Sequence, residues 1–171
     1  ITDSSNLSAS GDVTLNDVAT AGITLDTLEA DANVILTAAG NTAITNDAAL
    51  ALQGTVTGTL AATATTGDIT DSDALAVSGA SVFTLGADGT NITLESAANA
   101  FSGAVTLKAG SSGGQTFGNI VFVDSGAIDF DSAASADGDL FLDGGTDNTV
   151  GGTLAVTATT GGITDSATIA V

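Results

Sequence analysis

Residues 55–77 read TVTGTLAATATTGDITDSDALAV, and residues 149–171 read TVGGTLAVTATTGGITDSATIAV. The two stretches stand at an offset of 94 and are identical at 17 of 23 positions. A third copy of the marker opens the chain. Ile1-Thr2-Asp3-Ser4, followed by Leu7, Ser10 and Gly11, matches Ile69-Thr70-Asp71-Ser72, Leu75, Ser78 and Gly79 at an offset of 68. Internal repetition of this kind points to a repeat architecture before any single element is considered. It divides the chain into a short unit (1–68), a long unit (69–162) and the start of a third (163–171).

Working outward from the repeat, the apolar residues come in alternating triplets. Val13-Thr14-Leu15, Ile23-Thr24-Leu25, Phe83-Thr84-Leu85, Ile92-Thr93-Leu94 and Val105-Thr106-Leu107 are all apolar, Thr, apolar. Period two predicts strands whose outer members face a core and whose threonine faces water. Gly86-Ala87-Asp88-Gly89 and Asp143-Gly144-Gly145 are turn signals. No apolar stripe of helical period is sustained. The second unit is longer than the first without loss of register, and the additional length falls mostly between about 111 and 145. Coils of about 23 residues, three in one unit and four in the other with the additional coil within 111–145, would explain both lengths. The expectation is an all-β, right-handed parallel β-helix (β-solenoid) of about seven coils. The alternative is a β-sandwich or jelly roll, which short strands every 8–12 residues would also suit.

Composition excludes several function classes. The 171 residues include 20 acids and a single base, Lys108, for a net charge of −19. Nucleic-acid binding and docking on anionic lipid both need a basic footprint. With no His or Cys, zinc and haem sites and His-dependent nucleophiles are out of reach. No apolar run approaches the roughly 20 residues of a membrane span, so no membrane insertion is expected. The lack of a basic leader and an initiator Met reads as an internal or processed piece. Ile, Val, Leu and Phe supply about a quarter of the chain, above the roughly 20% below which highly charged chains stay disordered.

The runs GTLAVTATTGGITDSATIAV and ITDSDALAVSGASVFTLGADGTNITLESAANAFSGAVTL resemble the tandem repeats of filamentous-haemagglutinin-like bacterial exoproteins, large secreted β-strand-repeat adhesins. Gly67-Asp68-Ile69-Thr70-Asp71-Ser72, Val77-Ser78-Gly79, Ile92-Thr93-Leu94 and Asn99 to Val105 carry the likeness, which covers 55–107 and 149–171. The resemblance implies a right-handed parallel β-helix outside the cell or on its surface, serving as an adhesin, biofilm component or structural fibre. It supplies no catalytic residues.

Candidate sites are few. The densest acids run from Asp124 to Asp147, and Asp137, Asp139, Asp143 and Asp147 are the candidates for Ca²⁺, the one cofactor the sequence suggests. The EF-hand pattern fails there, since no Glu closes a loop. Asp129/Asp131 or Asp137/Asp139 could form a carboxylate pair for glycoside hydrolysis, but no Arg, His, Tyr or Trp stands by to bind sugar. Asn6 and Asn91 head sequons for glycosylation. Threonine rows such as Thr55-Thr57-Thr59, Thr63-Thr65 and Thr157-Thr159 are too irregular for an ice-binding face. The sequence therefore reads as a non-catalytic, extracellular structural or adhesive rod segment. Its expected partners are neighbouring repeats or identical subunits stacked head to tail, and glycans or a host surface. The alternatives are a pilus-like sandwich subunit polymerising by strand donation and a β-helix protein that binds or cleaves polysaccharide.

Overall fold

In the computed structural model, residues 1–109, 116–130, 139–143 and 150–165 are described. The strands follow in chain order as β1 (Leu7–Ala9), β2 (Val13–Asp17), β3 (Ile23–Ala30), β4 (Asn33–Ala38), β5 (Thr42–Asn46), β6 (Leu50–Val56), β7 (Leu60–Ala64) and β8 (Ile69–Val77). Then come β9 (Ser81–Leu85), β10 (Ile92–Leu94), β11 (Ala100–Phe101), β12 (Val105–Ala109), β13 (Ile120–Asp124), β14 (Ile128–Phe130), β15 (Asp139–Asp143), β16 (Leu154–Ala158) and β17 (Ile163–Asp165). Every strand pairing among the described residues is parallel, and no helix occurs among them. Odd and even strands alternate between two sheets through β10, so the chain winds as a β-solenoid. The antiparallel pairing of a sandwich or jelly roll is not found among the described residues, and with it goes the basis for a strand-donating pilus subunit.

The first five turns, β1 to β10, are regular. Up to β12 the step between partners in adjacent coils ranges from that of Val34 and Leu52, the tighter, to that of Ser81 and Val105, the wider. Beyond that the steps lengthen again, first from Ile92 to Ile120 and then from Ile128 to Ile163. Seven coils of equal length are thus not the pattern; five tight turns are followed by wider ones. In the first sheet β15 lies between β12 and β14, out of chain order and without a counterpart in the second sheet.

The repeat has a phase that its length hides. From Thr2, successive first-sheet partners are Thr24, Ala43, Ala61 and Val82. Thr70, the marker equivalent of Thr2, lies between the last two in the chain and belongs to the second sheet. The distance from one marker to the next is therefore three and a half turns. From Thr70 the second-sheet partners are Thr93, Val121 and Ala155, and the next marker, Thr164, is again half a turn on in β17. Both repeats span three and a half turns, so equivalent residues alternate between the two sheets.

Inward residues stack in columns along the axis. One runs Leu25, Ile44, Ala62, Phe83, Leu107, Leu142, all buried. Ala62, its one small member, stands beside Phe83, which lets one narrow interior hold a large ring. Phe101 meets Phe83 edge-on at 5.8 Å and stacks on Phe122 at 5.3 Å, joining the two sheets through aromatic contact. A second column holds Thr42, Leu60, Ser81 and Val105. The Thr42 and Ser81 hydroxyls are buried with no hydrogen-bond partner. A buried unsatisfied hydroxyl is destabilising, so Thr42→Val, which keeps the shape, is expected to raise stability by about 1 kcal/mol. Urea unfolding checks this; a lower midpoint would mean that the hydroxyl is satisfied.

One corner is a pile of glycines. Gly22, Gly40, Gly58, Gly79 and Gly103 follow one another coil on coil, and a Cβ on any of the last four would stand 2.5–2.7 Å from atoms of the coil before. Coils spaced by the backbone hydrogen-bond repeat leave no room for a side chain where two corners lie directly above one another.

Candidate functional site

The repeat marker works as a clamp between coils. The Asp3 carboxylate accepts the backbone N–H groups of Asp26 (3.3 Å) and Thr27 (3.1 Å) and the Thr27 hydroxyl (2.9 Å). Asp71, its repeat equivalent, accepts the N–H groups of Glu95 (3.0 Å) and Ser96 (2.8 Å) and the amide of Asn99 (2.6 Å). In each case the partners lie one coil further along. A short acceptor-only side chain at the marker satisfies donors that leave the ladder where the next coil bends.

Two of the described strands bulge, and a buried asparagine from the following coil bonds main chain at or just beyond each bulge. The register of β3 shifts between Leu25 and Leu28, and that of β8 where Leu52 and Gly54 of β6 face it. Asn46 Oδ1 accepts Ala30 N–H (2.8 Å), and its amide donates to the carbonyls of Ala30 (3.1 Å) and Ala49 (2.6 Å). Asn99 Oδ1 accepts Leu75 N–H (2.9 Å). Both are fully buried. Asp17 and Asp124 are buried too. Asp17 takes Gly22 N–H (2.9 Å), and Asp124 takes Phe101 N–H (2.9 Å) and Gly126 N–H (3.2 Å).

The sequon residue Asn91 is one rung of a side-chain ladder at the start of the second-sheet strands. Asp68 accepts Asn91 N–H (2.7 Å), Asn91 Oδ1 accepts Asn119 N–H (2.7 Å), and Asn119 Oδ1 accepts Thr153 N–H (2.9 Å). Asn6 is exposed, and its amide donates to Glu29. Of the calcium candidates, Asp139 and Asp143 belong to the backbone of β15, and Asp137 and Asp147 lie outside the described residues. So does Asp131 of the carboxylate pair considered for glycoside hydrolysis. Asp129 accepts the Thr164 hydroxyl (2.9 Å) and is in register with Asp139. Lys108 is in register with Asp143. Among the described residues no group of three or more Asp or Glu is placed to hold a metal ion.

Open clefts accompany the coils among the described residues. One, of about 340 Å³, lies along the β3 bulge with Asn6, Asp26, Glu29 and Asp47 on its walls. Another, of about 330 Å³, runs between Ala100–Ser102 and Asp124–Ala127. The first has three carboxylates on its walls, Asp26, Glu29 and Asp47.

Inter-coil bonds leave a mark on acidity. The N–H and hydroxyl of Thr116 hold the Asp88 carboxyl below its ordinary value, against partial desolvation, with Gly89 N–H adding to the effect. At Asp3 desolvation pulls upward, but the bonds from Thr27 and Asp26 prevail and the carboxyl titrates low. A depressed folded-state pKa contributes stability that is present above the unfolded value and lost as pH falls through the folded one. The difference in Tm between the wild type and Asp88→Ala is therefore expected to be full at neutral pH and to shrink below the ordinary carboxylate value of 3.8. A difference that persists unchanged to pH 2 would show that the carboxylate charge plays no part.

Residues 39–108 match a protein family described as repeats of unknown function (DUF5649). No curated protein and no solved structure matches the chain. The matched stretch runs from just before β5 into β12. The sequence pattern did not single out Asn46, Asn99 or the clamp role of Asp3 and Asp71. One signal was within reach: in Thr42-Ala43-Ile44-Thr45-Asn46 the period-two pattern turns the asparagine inward.

Proposed function

We propose that the chain is a non-catalytic structural repeat segment that lengthens a rod on or outside a bacterial cell, where the rod serves adhesion. The supporting observation is the continuous parallel ladder with its marker clamps. Each coil is held by main-chain bonds and side chains from the coils directly before and after it. Such an assembly is one-dimensional and can be extended by further repeats without a new core. The extracellular and adhesive parts of the reading rest on the resemblance to filamentous-haemagglutinin-like exoproteins.

Electron microscopy of two and four copies joined in phase tests the rod. Particle width is expected to stay constant while each copy adds on the order of 30 Å; compact particles of growing width would overturn it. Adhesion is read separately, as retention of the same rods on glycan surfaces and cells, and no retention would remove that part. Turnover of a polysaccharide that is lost in Asp129→Asn would overturn the non-catalytic reading.

A further inference from the structure

The turn between β9 and β10 contains Asp88-Gly89. Glycine after aspartate leaves the main-chain nitrogen unshielded by a side chain, and so open to reaction with the carboxyl group just before it. Such pairs stand at 88, 137 and 143, and Asp88-Gly89 is the one with both residues described. Asp88 and Gly89 are both exposed. Gly89 has φ of +72°, and nothing lies within 4 Å of where a Cβ would stand, so a ring closing at this corner has room. Both reacting groups are held by one residue of the next coil. Asp88 Oδ1 accepts the N–H (2.8 Å) and the hydroxyl (3.1 Å) of Thr116. The Gly89 N–H donates to the Thr116 carbonyl (3.0 Å).

We infer that Asp88-Gly89 is a latent isomerisation site, closed while Thr116 is stacked on it and opened when the two coils part at this corner. In the open corner the Gly89 nitrogen attacks Asp88 Cγ. A C–N bond forms, the carboxyl hydroxyl and the amide proton leave as water, and a five-membered imide results. Water then adds to one of the two imide carbonyls. Addition at the former main-chain carbonyl breaks the original peptide C–N bond and leaves the chain linked through Cγ, as isoaspartate. Addition at Cγ restores aspartate. The water lost is regained, and no oxidant or second protein takes part. The closed corner opposes both halves of the first step. The nucleophilic nitrogen is engaged with the Thr116 carbonyl, and the bonds that lower the acidity constant of Asp88 keep its carboxyl from the protonated form that loses hydroxide as water. The reaction therefore runs through local opening. Its rate is that of the unfolded chain multiplied by the fraction of time the corner stands open. Isoaspartate carries one more carbon in the main chain, which shifts the Gly89 N–H from the Thr116 carbonyl and leaves the corner unable to close in its old register.

Ageing the whole chain at neutral pH, folded and in urea, tests the inference. Peptide mapping reads residue 88, because an endoprotease that cleaves before aspartate passes over isoaspartate while the peptide mass is unchanged. Conversion is expected to be at least about tenfold slower in the folded chain. Thr116→Val removes the hydroxyl donor and keeps the main chain. It is expected to raise the folded-state rate several-fold and to leave the rate in urea as it was. Circular dichroism confirms that the variant is folded. Hydrogen exchange at the Gly89 N–H of the wild type measures the open fraction independently and should match the ratio of the two ageing rates. Equal rates in the folded and unfolded chains, no isoaspartate at 88 in urea, a folded rate unmoved by Thr116→Val, or a Gly89 N–H that exchanges freely would overturn the proposal.

Discussion

Gly54→Ala is expected to destabilise the chain by about 3 kcal/mol or more, the largest effect of any one-carbon change in the described coils. Gly54 has φ of +112°, a conformation that side chains rarely adopt. A Cβ there would stand 2.1 Å from the Leu36 carbonyl oxygen and 2.9 Å from the Leu36 nitrogen. Both are main-chain atoms of the preceding coil, in register with Gly54 itself, so neither can swing aside as a side-chain tip would. Relief would require parting β4 from β6, and with them the inter-coil bonds on either side. Gly11 is the control. Nothing lies within 4 Å of a Cβ there, and alanine should be tolerated. Urea midpoints of the two variants check the pair; equal midpoints would show that the coils yield at Gly54 at little cost.

Phe101→Ala is expected to cost about 3–5 kcal/mol. The ring touches Phe83 from the first sheet and Phe122 from the next coil of the second. Its removal leaves a cavity between the Phe83 and Phe122 rings, where three coils meet. Phe101→Leu refills part of the space and should cost roughly 1–2 kcal/mol. With stability carried by nearest-neighbour contacts along the axis, the loss should also broaden the unfolding transition as coils on the two sides of β11 uncouple. Chemical denaturation followed by circular dichroism reads both effects. A sharp transition with less than about 1 kcal/mol lost would mean that neighbouring rings close over the gap.

The strands were legible because their cause is local. Val13-Thr14-Leu15 and its relatives place one face inward by sterics and solvation alone, and β2 shows the pattern as buried, exposed, buried. Repetition then made a stack more economical than a sandwich. Counting was less secure. The spacing of the markers at Ile1 and Ile69 suggests three coils of equal length. The coils instead tighten between β4 and β6, and the repeat closes half a turn out of phase. Nothing local records on which sheet a strand falls. Polar burial was hidden for the same reason. Asn46 and Asn99 look like turn residues until the bulge opposite each is known, and bulges arise from register between strands far apart in sequence. Turn chemistry and the period of two place acids in turns or on outward strand positions. Asp17 and Asp124 instead turn inward to hold turns, and the four adjacent strands β5, β7, β9 and β12 have none at all.

The half-turn phase sets a rule of parity. A repeat that contains an odd number of strands shows its successor from the reverse side, so whatever one marker presents on the front the next presents on the back. Adding a single strand that turns a corner would reverse everything downstream, as a dropped stitch shifts a pattern. β15 avoids this. It joins the same sheet as β14 and leaves the alternation of β13 and β16 intact, so the long repeat accommodates its additional residues without changing which side faces where.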